Sequence, residues 1–193
     1  VPTKDRIEKV KRVLSLRQPD LRIVLEEVEN THNASAVLRT CDAAGVLNVD
    51  IISLKDEPFP IHEAITTGAE RWLKFHYYHS TSECLNSLKQ KGLKIASTSL
   101  RDDALPYTAL DYTQPIAIAF GNEAEGISSD ALTLSDYVIK IPMLGMTQSL
   151  NLSVAVGIIL FEALRQRKER GLFIKKRLPS SEFKSLMKKW LRL

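Results

Sequence analysis

Three short stretches carry side chains able to hold and activate a small polar ligand, each where a strand gives way to a loop or helix. The first is His32-Asn33 with Arg39 six residues later, on the helix after strand one. The second is FGNEAEGIS at 120–128, a strand emptying into a glycine-flanked acidic turn. The third is IPMLGMTQSLNLSVAV at 141–156, where a Pro/Gly loop leads into a helix whose first turn carries Ser149 and Asn151. Ligands of open α/β sheets collect beyond the carboxyl ends of the strands, which makes these junctions the places to look for chemistry. Each also has a purely structural reading. Asn33 suits a helix cap, Arg39 an ion-pairing helix position, Gly121 to Gly126 a tight turn, and Ser149 the N-cap of the long helix. Their coincidence in one sheet favours a shared site.

Several other chemistries are excluded. No G-x-G-x-x-G follows the first strand, no phosphate-cradling P-loop is present, and there is no G-x-S-x-G nucleophile elbow. His32, His62, His76 and His79 show no metal-ligand spacing. Cys41 and Cys84 are too few and too isolated for a zinc site or a disulfide framework. No metal is expected.

The elements that must position these residues follow from periodicity. Ile7, Val10 and Leu14 mark a helix over 4–17, and LRIVLEEVE (21–29) reads as a strand. NASAVLRTCDAAGV (33–46) predicts a helix closed by Gly45, followed by a buried strand at 49–54. A short helix at 61–67, a strand at 72–78 and a helix capped by Ser80 and Glu83 come next. Strands at 94–99 and 116–120, a short helix at 128–134 and a strand at 137–141 precede a long helix over 149–170. Pro179 and Ser180 open a last amphipathic helix containing Leu186 and Trp190. Short β-branched strands alternating with helices specify an α/β fold: a mostly parallel sheet with helices on both faces and helical extensions at both termini.

Charge separates the ends from the body. Residues 1–22 hold seven Lys/Arg against three acids, residues 162–193 eleven against three, and residues 23–161 nine against seventeen. An acidic body with basic ends points to a polyanion met by the termini, the alternative being two solvated helix faces. With 193 residues, 44% of them apolar, and 8 Gly and 8 Pro, the chain is an ordinary globular domain with short appended segments. No apolar run reaches the ~18 residues that cross a bilayer, and the charged start is unlike a signal peptide, so no membrane partner is expected. The expected compartment is the reducing cytoplasm.

HNASAVLRTCDAAGV, FGNEAEGIS and IPMLGMTQSLNLSVA resemble the three motifs of the SPOUT class of RNA methyltransferases. The resemblance runs from RQPDL at 17–21 through DYTQP at 111–115 to EALRQRKERGL at 162–172, nearly the whole chain. It is nearest to the tRNA 2′-O-methyltransferases that act on guanosine 18 of the D-loop. It implies a methyltransferase domain over 21–171 between basic helical extensions at 1–20 and 172–193, with the C-terminal part of the sheet threaded as a trefoil knot. It also implies S-adenosylmethionine as methyl donor, tRNA as substrate and a homodimer. Carried over by position, Arg39, Asn33, Glu123, Ser149 and Asn151 are the expected catalytic set, and Thr98, Gly121, Ile141 and Leu150 the expected cofactor contacts. Arg6, Arg17, Arg165, Arg167, Lys175, Lys176 and Arg177 are the basic candidates for RNA phosphates. The terminal helices, with Leu186, Met187 and Trp190, can also supply a dimer interface. Methylation of ribosomal RNA and a non-catalytic RNA-binding role are the alternatives.

The implied reaction asks the protein for positioning and proton removal, because a sulfonium methyl is already electrophilic. By analogy the proton goes to Arg39, although moving a guanidinium from ~13 to ~7 would cost roughly 8 kcal/mol. The role therefore requires a buried setting near the sulfonium and a late transfer. Asn33 is expected to fix Arg39 or the attacking ribose, Ser149 and Asn151 to shape the loop around the methyl group, and Glu123 to orient a partner's Arg39 or exclude water.

Overall fold

Alternation along the first strand sends Leu21, Ile23 and Leu25 to one face of the sheet and Val24 to the other, and all four are buried. The computed structural model describes residues 2–54 and 59–192. Its sheet has seven strands, β1 (Gln18–Glu26), β2 (Val46–Ile52), β3 (Lys74–Tyr78), β4 (Lys94–Thr98), β5 (Leu105–Pro106), β6 (Ile116–Phe120) and β7 (Tyr137–Lys140). Every pairing is parallel, in the order β3-β2-β1-β6-β4-β7-β5. The expected sheet with helices on both faces is therefore present.

The helices are α1 (Lys4–Leu16), α2 (Thr31–Ala43), α3 (Glu63–Thr66), α4 (Thr81–Gln90), α5 (Ser129–Leu134), α6 (Leu152–Glu169) and α7 (Ser180–Leu191). One face of the sheet packs on α2 and α6 through Val37, Leu38, Cys41, Val156, Ile159 and Leu160. The other face packs on α4 and α5 through Cys84, Leu85, Leu88 and Ala131. Burial pushes the Cys41 thiol up to about 12 and raises Cys84 as well. The two cysteines belong to different core clusters, and neither is paired in a disulfide.

Several boundaries differ from the sequence reading, each for a local reason. The first strand starts at Gln18, not at residue 21, with an irregular register before Arg22. It ends at Glu26 because Glu27 takes a left-handed conformation (φ 52°). Gly45 does stop α2, but at φ 81° it turns the chain straight into β2, so that strand begins at Val46. The long helix starts three residues later than expected, at Leu152. Its cap is Asn151, whose Oδ1 accepts from Ser153 N (2.9 Å), and not Ser149. The two-residue strand β5 was not expected, being too short to show a period.

The terminal helices pack on each other. Val10, Leu14, Leu186, Trp190 and Leu191 bury together with Leu47, and Trp72 meets Trp190 edge-on at 5.2 Å. The apolar face of α7 is thus covered within the chain: of the three side chains expected at a dimer interface, Leu186 and Trp190 are buried against α1 and Met187 packs half-buried beside them.

Two of the residues expected to contact RNA are internal. Arg17 is fully buried, paired with Asp42, donating to Val46 O (2.8 Å) and lying over the Trp190 ring. Arg167 is fully buried too, paired with Asp20 at 2.8 Å. Both guanidiniums fasten elements together and cannot reach a phosphate. A net-charge count includes such residues without showing that they are internal.

Candidate active site

A cavity of about 790 Å³ opens at the carboxyl ends of β4, β6 and β7, within the size range of small-molecule sites. Thr98, Gly121, Glu123, Ile141, Ser149, Leu150, Asn151 and Asn33 all line it. Eight of the nine expected catalytic and cofactor residues, drawn from four separate stretches, therefore meet in one place. The ninth, Arg39, does not.

The loop after β6 owes its shape to two residues. Asn122 Oδ1 accepts from Ala124 N (2.9 Å) and Glu125 N (2.7 Å), while Gly126 N donates to Asn122 O (3.1 Å). Gly121 passes so close to Gly126 that a Cβ there would lie 1.9 Å from Gly126 O. The loop closes on itself and presents Glu123.

A directional chain of hydrogen bonds then crosses the cavity wall. Ser153 N–H donates to Asn151 Oδ1 (2.9 Å), Asn151 Nδ2 to Asn33 Oδ1 (2.8 Å), and Asn33 Nδ2 to Glu123 Oε1. A backbone donor at one end and an acceptor-only carboxylate at the other leave each amide one orientation. Asn33 itself sits in the first turn of α2, its N–H accepted by the cap residue Asn30 at 3.1 Å. It is thus not the cap, and of the two expected partners, Arg39 or the attacking ribose, Arg39 is not bonded to it; Glu123 and Asn151 are. The geometric reason is the helix period. Six residues carry Arg39 about 120° around α2 from Asn33, and its side chain is exposed outside the cavity.

Sequence reasoning missed Asn30 and Lys140, which also line the cavity. Asn30 had a signal in the N-cap preference of asparagine. Lys140 had none; its ammonium donates to Arg101 O (3.1 Å) and Asp102 O (2.8 Å) and holds the segment after β4. Glu123 and Glu125 outnumber the Lys140 ammonium in the lining, which leaves the cavity wall suited to a positively charged ligand. Among the described residues, no three His, Cys, Asp or Glu side chains gather to hold a metal.

The remaining basic candidates differ in freedom. Lys175 is exposed, Lys176 is exposed with its ammonium 4.4 Å from the Phe183 ring centroid, and Arg6 is exposed over Trp72. Arg165 is exposed but bonded to Glu162 and Glu169, and Arg177 is half-buried against Asp20.

A parallel sheet with a polar cavity built from these three motifs is the architecture of an RNA ribose methylase. The chain belongs to the SpoU rRNA Methylase family, whose model matches residues 20–161. It is 43% identical over 190 residues to a tRNA (guanosine(18)-2'-O)-methyltransferase of Thermus thermophilus, covering 98% of this chain and 97% of that protein. The A. aeolicus TrmH/SpoU tRNA modifying enzyme superposes with a TM-score of 0.93 at 38% identity, covering 98% of this chain and 96% of that one. The SpoU methyltransferase AviRb from Streptomyces viridochromogenes, in complex with AdoMet, gives a TM-score of 0.71 at 25% identity. That match covers 86% of this chain and 65% of the AviRb chain.

Proposed function

We propose that this chain methylates the ribose 2′-hydroxyl of guanosine 18 in the tRNA D-loop, with S-adenosylmethionine as the methyl donor. The observation that carries the reading is the Asn151–Asn33–Glu123 chain, held in a cavity of suitable size by motifs from separate strands. The full-length similarity to guanosine-18 enzymes favours tRNA over ribosomal RNA.

The donor set fits the cofactor. Gly121, Ile141 and Leu150 offer backbone and apolar walls, Thr98 is fixed by its bond to Ala119 O (3.1 Å), and the acidic rim favours a cation. When bound, S-adenosylmethionine supplies an electrophilic methyl group. The chain's own tasks are to orient the ribose, exclude water and move a proton. Asn33 and Asn151, locked by their neighbours, hold the sugar without reorganising, and Ser149 shapes the loop beside them. Arg39 serves only if a second copy brings it to the cavity, because within one copy it is outside.

A homodimer is supported by apolar side chains left uncovered in the 141–151 loop and on α6. Leu144 and Met146, in the loop that leads to Ser149, are fully exposed, and Val154 and Phe161 lie exposed on one face of α6, two turns apart. The strand order, with β6 between β1 and β4 and β7 beside β4, supports the trefoil knot. Among the described residues no helix is long and apolar enough to cross a membrane, and a tRNA substrate supports a cytoplasmic location.

One assay tests the reading: labelled S-adenosylmethionine with tRNA and, separately, ribosomal RNA, followed by mapping of the methylated nucleotide. Label on guanosine 18 of tRNA is expected; label only on ribosomal RNA, or none, overturns it. Arg39→Lys is expected to lower turnover at least about a hundredfold, and near-normal turnover with an unchanged pH profile removes Arg39 from the proton path.

RNA affinity is expected to fall steeply with salt through Lys175, Lys176 and their neighbours. Lys175→Gln with Lys176→Gln should flatten the log–log salt dependence by about two units. Deleting 172–193 is a poor test, because it would strip α7 from α1. An unchanged slope in the double variant removes these lysines from the RNA contact.

A further inference from the structure

Glu26, the last residue of β1, is 4% exposed, and its carboxylate is spent on hydroxyls and an amide. Oε1 accepts from Thr81 Oγ1 and from Ser128 Oγ (2.7 Å), and Oε2 accepts from Ser128 N (2.8 Å). Ser128 in turn caps α5, its Oγ accepting from Ala131 N at 3.1 Å. Three donors on one buried carboxylate form a strong, geometrically restrictive joint.

Its place in the chain makes the joint functional. Residues 121–127 form the cavity loop that presents Glu123 to Asn33. The residue before this loop, Phe120, is paired in register with Leu25 of β1. The residue after it, Ser128, is held by both Glu26 oxygens. Consecutive residues of one central strand therefore grip both ends of the loop.

We propose that Glu26 is a positioning residue for the cofactor site: by anchoring Ser128 it holds the 121–127 loop closed before any ligand arrives. Without that anchor the loop keeps its internal bonds and the packing of Ala131 on the core but loses its tie to β1 at Ser128, and cofactor binding must bear part of the entropy of ordering it. The proposal rests on the S-adenosylmethionine reading, so the test separates the two.

Uptake of S-adenosylmethionine is measured by calorimetry in the unaltered chain and in Glu26→Gln, Ser128→Ala and Thr81→Val. Amide hydrogen exchange over 121–127 is followed without ligand. Glu26→Gln and Ser128→Ala are each expected to weaken uptake about tenfold, to raise exchange in the loop, and to raise the cofactor KM more than they lower kcat. Their double variant should be no weaker than the worse single one. Thr81→Val removes one of the three donors on Glu26 but neither bond to Ser128, and should weaken uptake clearly less than Ser128→Ala.

No uptake by the unaltered chain sinks the cofactor reading. Normal uptake there with equal affinity in Glu26→Gln and Ser128→Ala overturns the positioning role alone. Equal weakening by Thr81→Val also overturns it, since the effect is then general stability. Should Glu26→Gln fail to fold, the contrast between Ser128→Ala and Thr81→Val decides.

Discussion

Gly121→Ala is expected to abolish measurable uptake of S-adenosylmethionine while leaving the chain folded. The added methyl would sit 1.9 Å from Gly126 O, 2.1 Å from Gly126 C and 2.3 Å from Ile127 N. All three are backbone atoms, so no side chain can swing away to make room. Relief requires the loop to open, which breaks the bridge between Asn122 and Gly126 and withdraws Glu123 from Asn33. Overpacking of this kind costs about 1–3 kcal/mol. In a chain of this size that lowers the unfolding midpoint by about 2–12 °C. The loss of affinity should be larger, at least about a hundredfold, because the whole wall moves and not one contact. Calorimetry with thermal unfolding checks both; uptake within a few-fold of normal would show that the loop does not need its closed form.

Arg167→Met carries the largest expected loss of stability. The guanidinium donates to Tyr112 O (2.8 Å), Gln18 Oε1 (3.1 Å), Asp20 Oδ1 (2.8 Å), Asp20 O (3.4 Å) and Gln114 O (2.9 Å). It thereby ties the end of α6 to the start of β1 and to the segment entering β6. Methionine fills much of the same volume but leaves these acceptors unmatched, and among the described residues Asp20 keeps Arg177 as its cation. Breaking a buried pair from one side costs about 3–5 kcal/mol. Urea unfolding should show the midpoint falling with an unchanged slope. Arg165→Met is the control. Two residues away but exposed, it pairs with Glu169 at the surface and with the largely covered Glu162, which keeps Gln166 as a donor, and it should lower the midpoint far less. Equal effects from the two substitutions would contradict the buried joint.

The pair also shows where reading the chain reached its limit. Arg165 and Arg167 look alike in a run of basic residues, and both were expected to face RNA. One is an exposed ion-pairing residue and the other a core fastener, because on a helix two residues lie about 200° apart. Which of them faces inward depends on what packs against α6. Arg17 has the same history at the other end of the chain, where Asp42 and Trp190 enclose it. Asn33, by contrast, was legible as a site residue, since a short amide at a strand-to-helix junction lies where the sheet opens. Its partners were not legible. Asn151 is 118 residues away and Glu123 is 90 residues away, and no local period relates such positions.

Local chemistry in the chain determined the α/β alternation and the glycine-closed turn at 121–126, which arise from interactions within a few residues: backbone freedom, hydrophobic period and capping. Composition showed the basic ends, and a likeness of motifs, which no local interaction explains, pointed to the RNA methyltransferases. Tertiary structure alone decided that Arg17 and Arg167 are internal, that α7 spends its apolar face on α1, that Arg39 lies outside the cavity, and that Glu26 grips Ser128. Each of these depends on long-range packing, in which burial and hydrogen-bond partners are set by elements far apart along the chain.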